Sequence, residues 1–306
     1  MRRVVGVVLL AVGAFLVVLA PLVRFQVAPK LIAAPANQYN ILKLQADDAQ
    51  YFNRGKLKVL TGDLAITVTT RGDVSQASGD RVVWDEVTAV NDVTNESPLV
   101  SLTERRSAFD KYTGVGVDCC AANIDKKPVK MEGQIYKFPF DVEKKTYKWF
   151  NSVTGAAYDA RFVGEDVVNG LPVYKFEQTV PPTRTETVAA PASVLGMDET
   201  GDVQVDRVYE GVNTVWIEPV SGSPVKQEQQ RNEVLKTQDG VERSKAFVAT
   251  AKMTPETVNA LVEDAVQAKS QITLIKSTIP LVLLVLGVAL LVAGFLVARS
   301  AGRVRA

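Results

Sequence analysis

Residues 279–298 read IPLVLLVLGVALLVAGFLVA, and the predicted architecture of the chain follows from this stretch. It contains no charged residue, and a helix of twenty residues spans about 30 Å, the thickness of the hydrocarbon layer of a bilayer. A helix in the core of a soluble protein is rarely apolar on every face. Because hydrocarbon offers no hydrogen-bond partner, a single segment crosses it only as a helix. We therefore predict a C-terminal transmembrane helix at 279–298.

A second apolar stretch lies at the other end of the chain. Residues 4–23 read VVGVVLLAVGAFLVVLAPLV, again without a charge. Its length predicts an N-terminal transmembrane helix. A cleaved signal peptide is the alternative, because Arg2 and Arg3 precede the stretch. The stretch is longer than the usual apolar region of about 7–15 residues in a signal peptide, and Arg24 follows it directly. We therefore expect the helix to be retained.

The orientation follows from the arginines that flank the two spans. Residues 1–23 and 279–306 contain no acidic residue, and their basic residues are Arg2, Arg3, Arg299, Arg303 and Arg305. Positive flanks favour the cytoplasmic side. We predict a plasma-membrane protein with a cytoplasmic N-terminus at 1–3, a cytoplasmic tail at 299–306 and an exterior domain at 24–278. Arg24 and Lys30 on the opposite flank of the first span weaken this signal.

Each predicted span carries two glycines seven residues apart. They are Gly6 and Gly13 in the first span, and Gly287 and Gly294 in the second. That spacing places each pair on one helical face, where small residues let two backbones approach. The pattern predicts packing between the spans. The alternative is that glycine is simply frequent in transmembrane helices.

The composition of the middle of the chain excludes several classes of function. All 34 acidic residues lie there together with all but five of the 35 basic ones, so it is slightly acidic. Nucleic acid is therefore not an expected partner, because phosphate binding needs a clustered basic surface. The sequence has no histidine. This removes His-based catalytic triads and His-ligated zinc, and we predict a protein without enzymatic activity, metal or cofactor.

Short β-rich segments separated by turn signals follow one another along the middle. They are residues 57–70, 82–90, 129–140, 146–150, 171–180, 213–219 and 224–235. Such a series predicts a mainly β exterior domain built as an antiparallel sheet, half-barrel or barrel. Residues 181–202 show no period and are rich in Pro, Thr and Ala, so we predict a long loop there.

The end of the exterior domain shows a helix start. Thr254 suits an N-cap, Pro255 suits the first helical position, and Glu256 places an acid in the first turn. Val258, Leu261 and Val262 then recur at helical spacing. We predict a juxtamembrane helix at 255–278 that runs toward the second span.

Cys119 and Cys120 are adjacent and are the only cysteines. Neighbouring Cα atoms lie about 3.8 Å apart, below the usual lower limit of about 4.4 Å for a disulfide. A vicinal disulfide therefore needs a distorted turn, for which Gly114 and Gly116 nearby are suited. Free or intermolecularly paired thiols are a second possibility, and a redox or metal-binding role is a third.

Three phrases carry a family resemblance. They are AFDKYTGVGVDCC at 108–120, VNGLPVYKFEQTVPP at 168–182 and VWIEPVSGSPV at 215–225. Together with the two-span layout they resemble an actinobacterial membrane family of unknown function that is labelled the PorA family. The label implies a porin, although a membrane barrel crosses with strands of about ten residues and both spans here are helical. The family brings no catalytic residues to this chain.

The layout of span, exterior β domain and span also resembles that of class B scavenger receptors, which carry lipid through a tunnel. This similarity of topology implies a cell-envelope protein whose exterior β domain binds or passes an apolar ligand such as a lipid. Trp216 and Tyr174 are candidate lining residues, because large aromatic side chains provide most apolar area per residue; the alternative is that both are ordinary core residues. A structural or scaffolding protein that binds other envelope proteins is the second hypothesis, and an envelope enzyme is the third.

Overall fold

The structure, a computed structural model, describes residues 2–198 and 200–303. Met1 and Arg305, which belong to the predicted cytoplasmic termini, lie outside the described residues. The chain divides into two compact units. A helical unit comprises Met1–Ala33 and Gln267–Ala306, and a β unit comprises Ala34–Val266. The β unit is narrower than the predicted 24–278, because both helices continue past their apolar stretches.

Two long continuous helices form the helical unit, and the first part of the second helix, residues 255–266, belongs to the β unit. The first consists of α1 (Arg2–Leu22), a π-helical segment (Val23–Val27) and α2 (Ala28–Leu31). The second consists of α3 (Pro255–Thr273), a π-helical segment (Leu274–Thr278) and α4 (Ile279–Arg303). By length and composition, Arg3–Leu31 and Pro255–Ser300 are both able to cross a membrane.

The β unit contains one twelve-stranded antiparallel sheet. Its strands are β1 (Tyr39–Asn53), β2 (Lys58–Gly72), β3 (Arg81–Asp92), β4 (Ser97–Asp110), β5 (Asn123–Ile124), β6 (Lys127–Pro128), β7 (Tyr147–Asn151), β8 (Ala156–Val168), β9 (Leu171–Pro191), β10 (Asp202–Ile217), β11 (Pro224–Thr237) and β12 (Glu242–Met253). The order across the sheet is β6-β5-β4-β3-β2-β1-β12-β11-β10-β9-β8-β7. Neighbours in the sheet are therefore neighbours in the chain, except that β1 pairs with β12. The predicted fold class, a mainly β half-barrel with two apolar helices, is confirmed.

The segment between β4 and β7 joins the two sides of the sheet at one end. Isolated bridges connect Phe109 to Gly116, Val115 to Gln134, and Gln134 to Trp149. We call residues 113–137 the closing segment. Its backbone continues the hydrogen-bond ladder from β4 to β7, with Gly116 N–H donating to Gly133 O at 2.8 Å and Gln134 N–H donating to Lys148 O at 2.7 Å.

A β-bulge in β1 sets which side chains share a face of the sheet. The register with β2 shifts between Ala46 and Ala49. Asp48, with φ 50°, lies in the bulge and its N–H donates to Asp63 Oδ1 at 3.0 Å. Side chains alternate along a regular strand, so residues three apart would point to opposite faces. The bulge adds one residue and returns Ala49 to the face of Ala46, where both pack with Tyr51.

The prediction of a loop at 181–202 is wrong for residues 181–191. Strand β9 continues to Pro191 and pairs with β10 as far as Asp202. Only residues 192–201 connect the two strands, and they include a 3₁₀ turn, Ala192–Leu195. Pro181 and Pro182 hid the strand, because proline lacks the N–H that a strand donates. On its other side β9 pairs with β8 only as far as Gln178, so these prolines lie where β9 has β10 as its one partner.

The turn between β10 and β11 gives the first test. Gly222 has φ +70°, and a Cβ there would lie 2.2 Å from Phe138 O. Gly240 has φ +83° but faces open space. We expect Gly240→Ala to lower the free energy of unfolding by about 1 kcal/mol, through backbone strain alone. Gly222→Ala should lower it by about 3 kcal/mol, because Phe138 must also move. Urea unfolding of the full chain in detergent, followed by tryptophan fluorescence, measures both, and equal losses would contradict the structure.

Candidate functional site

One face of the sheet carries a continuous apolar surface across four adjacent strands. We call it the apolar wall. Its buried members on β12, β1, β2 and β3 are Ala46, Ala49, Tyr51, Leu64, Ile66, Val90, Phe247, Ala249 and Ala251. Leu44, Leu60, Val68 and Val100 pack against these residues but are only partly buried. The wall therefore offers apolar side chains that the chain itself does not fully cover.

A buried ion-pair cluster lies directly beside the apolar wall. The cross-strand register aligns Tyr209, Glu233 and Phe247 on β10, β11 and β12. Glu233 is 1% exposed, and its carboxylate accepts from the Nε–H groups of Arg207 and Arg231. The guanidinium of Arg231 also lies 4.7 Å from the ring centroid of Phe247. A buried carboxylate is tolerated only with such partners, so these three charged residues form one unit.

Buried amide side chains extend this polar surface toward β7. Asn213 Nδ2 donates to Gln178 Oε1 at 2.8 Å, and Gln178 Nε2 donates to the backbone oxygen of Trp149 at 2.5 Å. Asn151 Nδ2 donates to the hydroxyl of Tyr209 at 3.2 Å. We call Asn151, Gln178, Tyr209, Asn213 and Glu233 the polar strip.

Gly211 makes room for the polar strip. A Cβ at this position would lie 2.7 Å from the Tyr209 hydroxyl. This strip was not predicted from the sequence. The available signal was the continuous polar run KQEQQRNE at 226–233 in β11, which includes Arg231 and Glu233.

A second buried ion pair lies on β3 and β4. Arg105 Nη2 donates to Glu86 Oε2 at 2.8 Å, and its guanidinium lies 4.6 Å from the ring centroid of Tyr136. Burial alone would lower the pKa of Arg105, but Glu86 raises that pKa above its ordinary value. Burial raises the pKa of Tyr136 to about 12, which keeps its hydroxyl protonated. Tyr136 belongs to the closing segment, so this pair contributes to holding that segment against β4.

Lys137, the last residue of the closing segment, is a buried amine. It is 9% exposed, and its Nζ has no hydrogen-bond partner within the part of the chain that the structure describes. The Nζ atom lies 3.5 Å from the ring centroid of Phe140. Burial lowers the pKa of Lys137 to about 7, and Asp110 only partly opposes this effect.

A pocket lies over β1 and β2 beside the bulge. Its volume is about 290 Å³, close to the lower limit of about 300 Å³ for small-molecule sites. It is lined by Lys43, Leu44, Gln45, Asp47, Asp63, Leu64, Ala65, Ile66, Thr67, Val93 and Thr254. Lys43, Asp47 and Asp63 give this pocket a charged lining. Neither Trp216 nor Tyr174 lines it.

Trp216 and Tyr174 lie in different clusters. Trp216 packs with Val258, Val262 and Ala265 of α3, and its Nε1 donates to Asp166 Oδ2 at 2.8 Å. Tyr174 is partly buried and meets Phe162 edge-to-face at 5.6 Å between ring centroids. The structure therefore does not bring these two candidate lining residues together.

The adjacent cysteines lie within the closing segment. Cys119 and Cys120 form a vicinal disulfide with Cα atoms 3.8 Å apart. The turn has its unusual backbone at Cys120 and Ala121, with φ of 60° and 55°. Arg106 Nε donates to Cys120 O at 3.0 Å, and the same side chain pairs with Asp73 and Asp85. The turn is thus fixed from β4.

The four glycines of the spans lie between α1 and α4 in the helical unit. A Cβ on Gly13 would lie 2.8 Å from Gly287 O, and a Cβ on Gly287 would lie 2.9 Å from Gly13 O. The corresponding distances for Gly6 and Gly294 are 3.2 Å and 2.9 Å. The two backbones approach so closely at these positions that no side chain fits between them.

The chain is similar to proteins that carry the name Porin PorA. The family model described as Porin PorA matches residues 5–296. A Porin PorA of Corynebacterium amycolatum is 26% identical over 238 residues, which cover 63% of this chain and 62% of that protein. A Porin PorA of Corynebacterium resistens is 30% identical over 97 residues, covering 28% of this chain and 24% of that protein. The match thus spans less than two thirds of either relative. Together with the two apolar helices, it points to a membrane or cell-envelope location.

The buried amine gives the second test. Lys137→Met should raise the free energy of unfolding by about 2 kcal/mol at pH 6, because it removes a buried polar group without a hydrogen bond. The folded-state pKa of about 7 lies below the ordinary 10.5. Between these values the unfolded chain binds more protons, so the stability of the wild type rises with pH across this window. The difference in free energy of unfolding between Lys137→Met and the wild type should therefore shrink from pH 7 to pH 10.

Urea unfolding at pH 6, 8 and 9.5 measures this difference. Lys127→Met, at an exposed position of β6, serves as the control and should change stability little at any of these pH values. An advantage of Lys137→Met that stays constant with pH would contradict the assignment of a buried, neutral amine.

Proposed function

This chain belongs to the Porin PorA family, and we propose that it acts in the cell envelope as a non-enzymatic membrane protein whose half-barrel binds or passes an apolar ligand such as a lipid. In this proposal both short termini are cytoplasmic and the β unit is external to the plasma membrane. The observation that carries the proposal is the incomplete coverage of the apolar wall.

The partly buried residues of the wall are the expected contact surface. Leu44, Leu60, Val68 and Val100 lie on one face of adjacent strands and pack on the buried members of the wall. Each square ångström of apolar surface removed from water contributes about 25 cal/mol, so an acyl chain laid along the wall would be held by burial alone. Ligand sites are commonly built in this way, as largely apolar surfaces with a few fixed polar groups.

The polar groups beside the wall are already fixed by one another. Glu233 is held by Arg207 and Arg231, and Asn213 is held by Gln178. These polar groups keep their positions without a ligand. They would therefore orient a molecule that lays its apolar body on the wall and its polar end beside them. A lining role for Trp216 and Tyr174 stays a prediction, since both lie outside the apolar wall.

A scaffolding role is the second candidate, and a different surface favours it. Val87, Val93, Leu99 and Leu102 on and around β3 and β4 are exposed large apolar side chains. Exposed apolar groups that lie near one another are typical of protein-binding surfaces. A protein partner in the envelope would use this surface, whereas a lipid would use the wall.

The third test compares the two surfaces by charge insertion. Val68→Lys places a charge on the apolar wall, and Val163→Lys places the same charge on an exposed apolar position of β8 that is 49% accessible. The full-length protein is purified from membranes in each form, and its bound lipid is counted by native mass spectrometry. We expect Val68→Lys to lose at least about half of the bound lipid, because a buried charge without a partner is costly.

The control Val163→Lys should retain the wild-type lipid count, and both variants should keep the far-ultraviolet spectrum of a folded sheet. Equal lipid counts in all three proteins would mean that the lipid surrounds the helices only. The proposal would then fail, and Leu102→Lys, tested for loss of co-purifying envelope proteins, would examine the scaffolding role.

A further inference from the structure

The stretches that join the apolar spans to the β unit carry charges of one sign. Residues 24–33 read RFQVAPKLIA, and residues 267–278 read QAKSQITLIKST. Together they contain Arg24, Lys30, Lys269 and Lys276 and no acidic residue. We call these four residues the basic collar. All four belong to the helical unit.

The two innermost residues of the collar lie at one level. Arg24 is in the π-helical segment Val23–Val27, and Lys276 is in the π-helical segment Leu274–Thr278. Arg24 Nη1 donates to Lys276 O at 3.4 Å, so the two segments face each other. Such π-helical turns are rare and often mark functional positions. Each segment adjoins an apolar stretch, which places both basic residues at the boundary between hydrocarbon and headgroups.

The two outer residues of the collar lie farther along the same helices. Lys30 is six residues beyond Arg24, and Lys269 is seven residues before Lys276. At 1.5 Å per residue, these intervals are about 10 Å along the helices. The headgroup region on one side of a bilayer is about 5–8 Å thick. The collar therefore covers the full depth of that region.

The side chains of the collar are wholly or partly exposed. Ala28 and Ile272 are buried, whereas Arg24 and Lys30 are exposed, and Lys269 and Lys276 are partly exposed. Phe25 is exposed, and its ring centroid lies 5.7 Å from the Arg24 guanidinium. An aromatic ring beside a basic group is typical of the bilayer interface.

We propose that the basic collar binds the anionic headgroups of membrane phospholipids in the leaflet next to the β unit. Basic residues near an anionic membrane surface each contribute about fivefold in affinity. On the proposed topology these four charges lie on the side that the positive-inside bias disfavours. Headgroup binding would give these charges a role at that position. This binding is separate from the apolar ligand of the half-barrel.

The test uses the full-length protein and two lipids of equal chain length, anionic phosphatidylglycerol and zwitterionic phosphatidylcholine. Native mass spectrometry of lipid titrations gives the apparent affinity for each. We expect the wild type to prefer phosphatidylglycerol by at least about tenfold at low salt, and this preference should fall as salt is added. Arg24→Gln with Lys276→Gln should reduce the preference by at least about tenfold.

Two further variants make the outcome decisive. Arg24→Lys with Lys276→Arg keeps both charges and should retain the preference. Lys126→Gln with Lys127→Gln removes two exposed charges, one in the β5–β6 turn and one at the start of β6, and should also retain the preference. The proposal is overturned if the wild type has no preference, if the glutamine variant of the collar retains it, or if the control loses it as well. Val68→Lys should leave this preference unchanged, so failure of the half-barrel proposal would be distinguishable.

Discussion

The pairing of the first strand with the last is the constraint on which the rest of the structure depends. β1 pairs with β12 from Leu44 opposite Met253 to Tyr51 opposite Phe247. Because of this pairing, the two edges of the sheet, β6 and β7, come from the middle of the chain. The connection at residues 111–146 can therefore join the two sides of the sheet. The β1–β12 pairing also brings Tyr51 beside Phe247 and so makes the apolar wall continuous across four strands. Without it the sheet would separate into two meanders.

One face of the sheet combines apolar side chains with buried polar groups, and the two have opposite effects on stability. A half-barrel needs apolar side chains to hold its strands together, and the wall supplies them. The polar strip introduces a carboxylate and several amides into the same surface, at a desolvation cost that only mutual pairing offsets. Glu233 with its two arginines and Asn213 with Gln178 provide that pairing. Such a network also helps to fix the register, because a shifted strand would separate Glu233 from its arginine partners.

The sequence predicted the features that depend on one segment at a time. Both spans, the mainly β unit and the glycine faces follow from local periodicity and composition. Long-range pairing was not visible in this way, and β1, β4, β8 and β12, which lie outside the β-rich segments identified in the sequence, were missed. The strip at Glu233 was missed because a buried carboxylate is indistinguishable from a solvated one until its two arginine partners are known. Prolines at 181 and 182 concealed the continuation of β9.

The placement of the chain connections has a mechanical consequence. β1 begins and β12 ends at the same end of an antiparallel pair, so tension that separated the two connections would open the β1–β12 ladder one hydrogen-bonded pair at a time. That mode of loading is the weakest for a sheet, because it never shares the force among many bonds. In the helical unit, the close backbone contact at Gly13 and Gly287 holds α1 against α4. This contact resists separation of α1 from α4 within the helical unit.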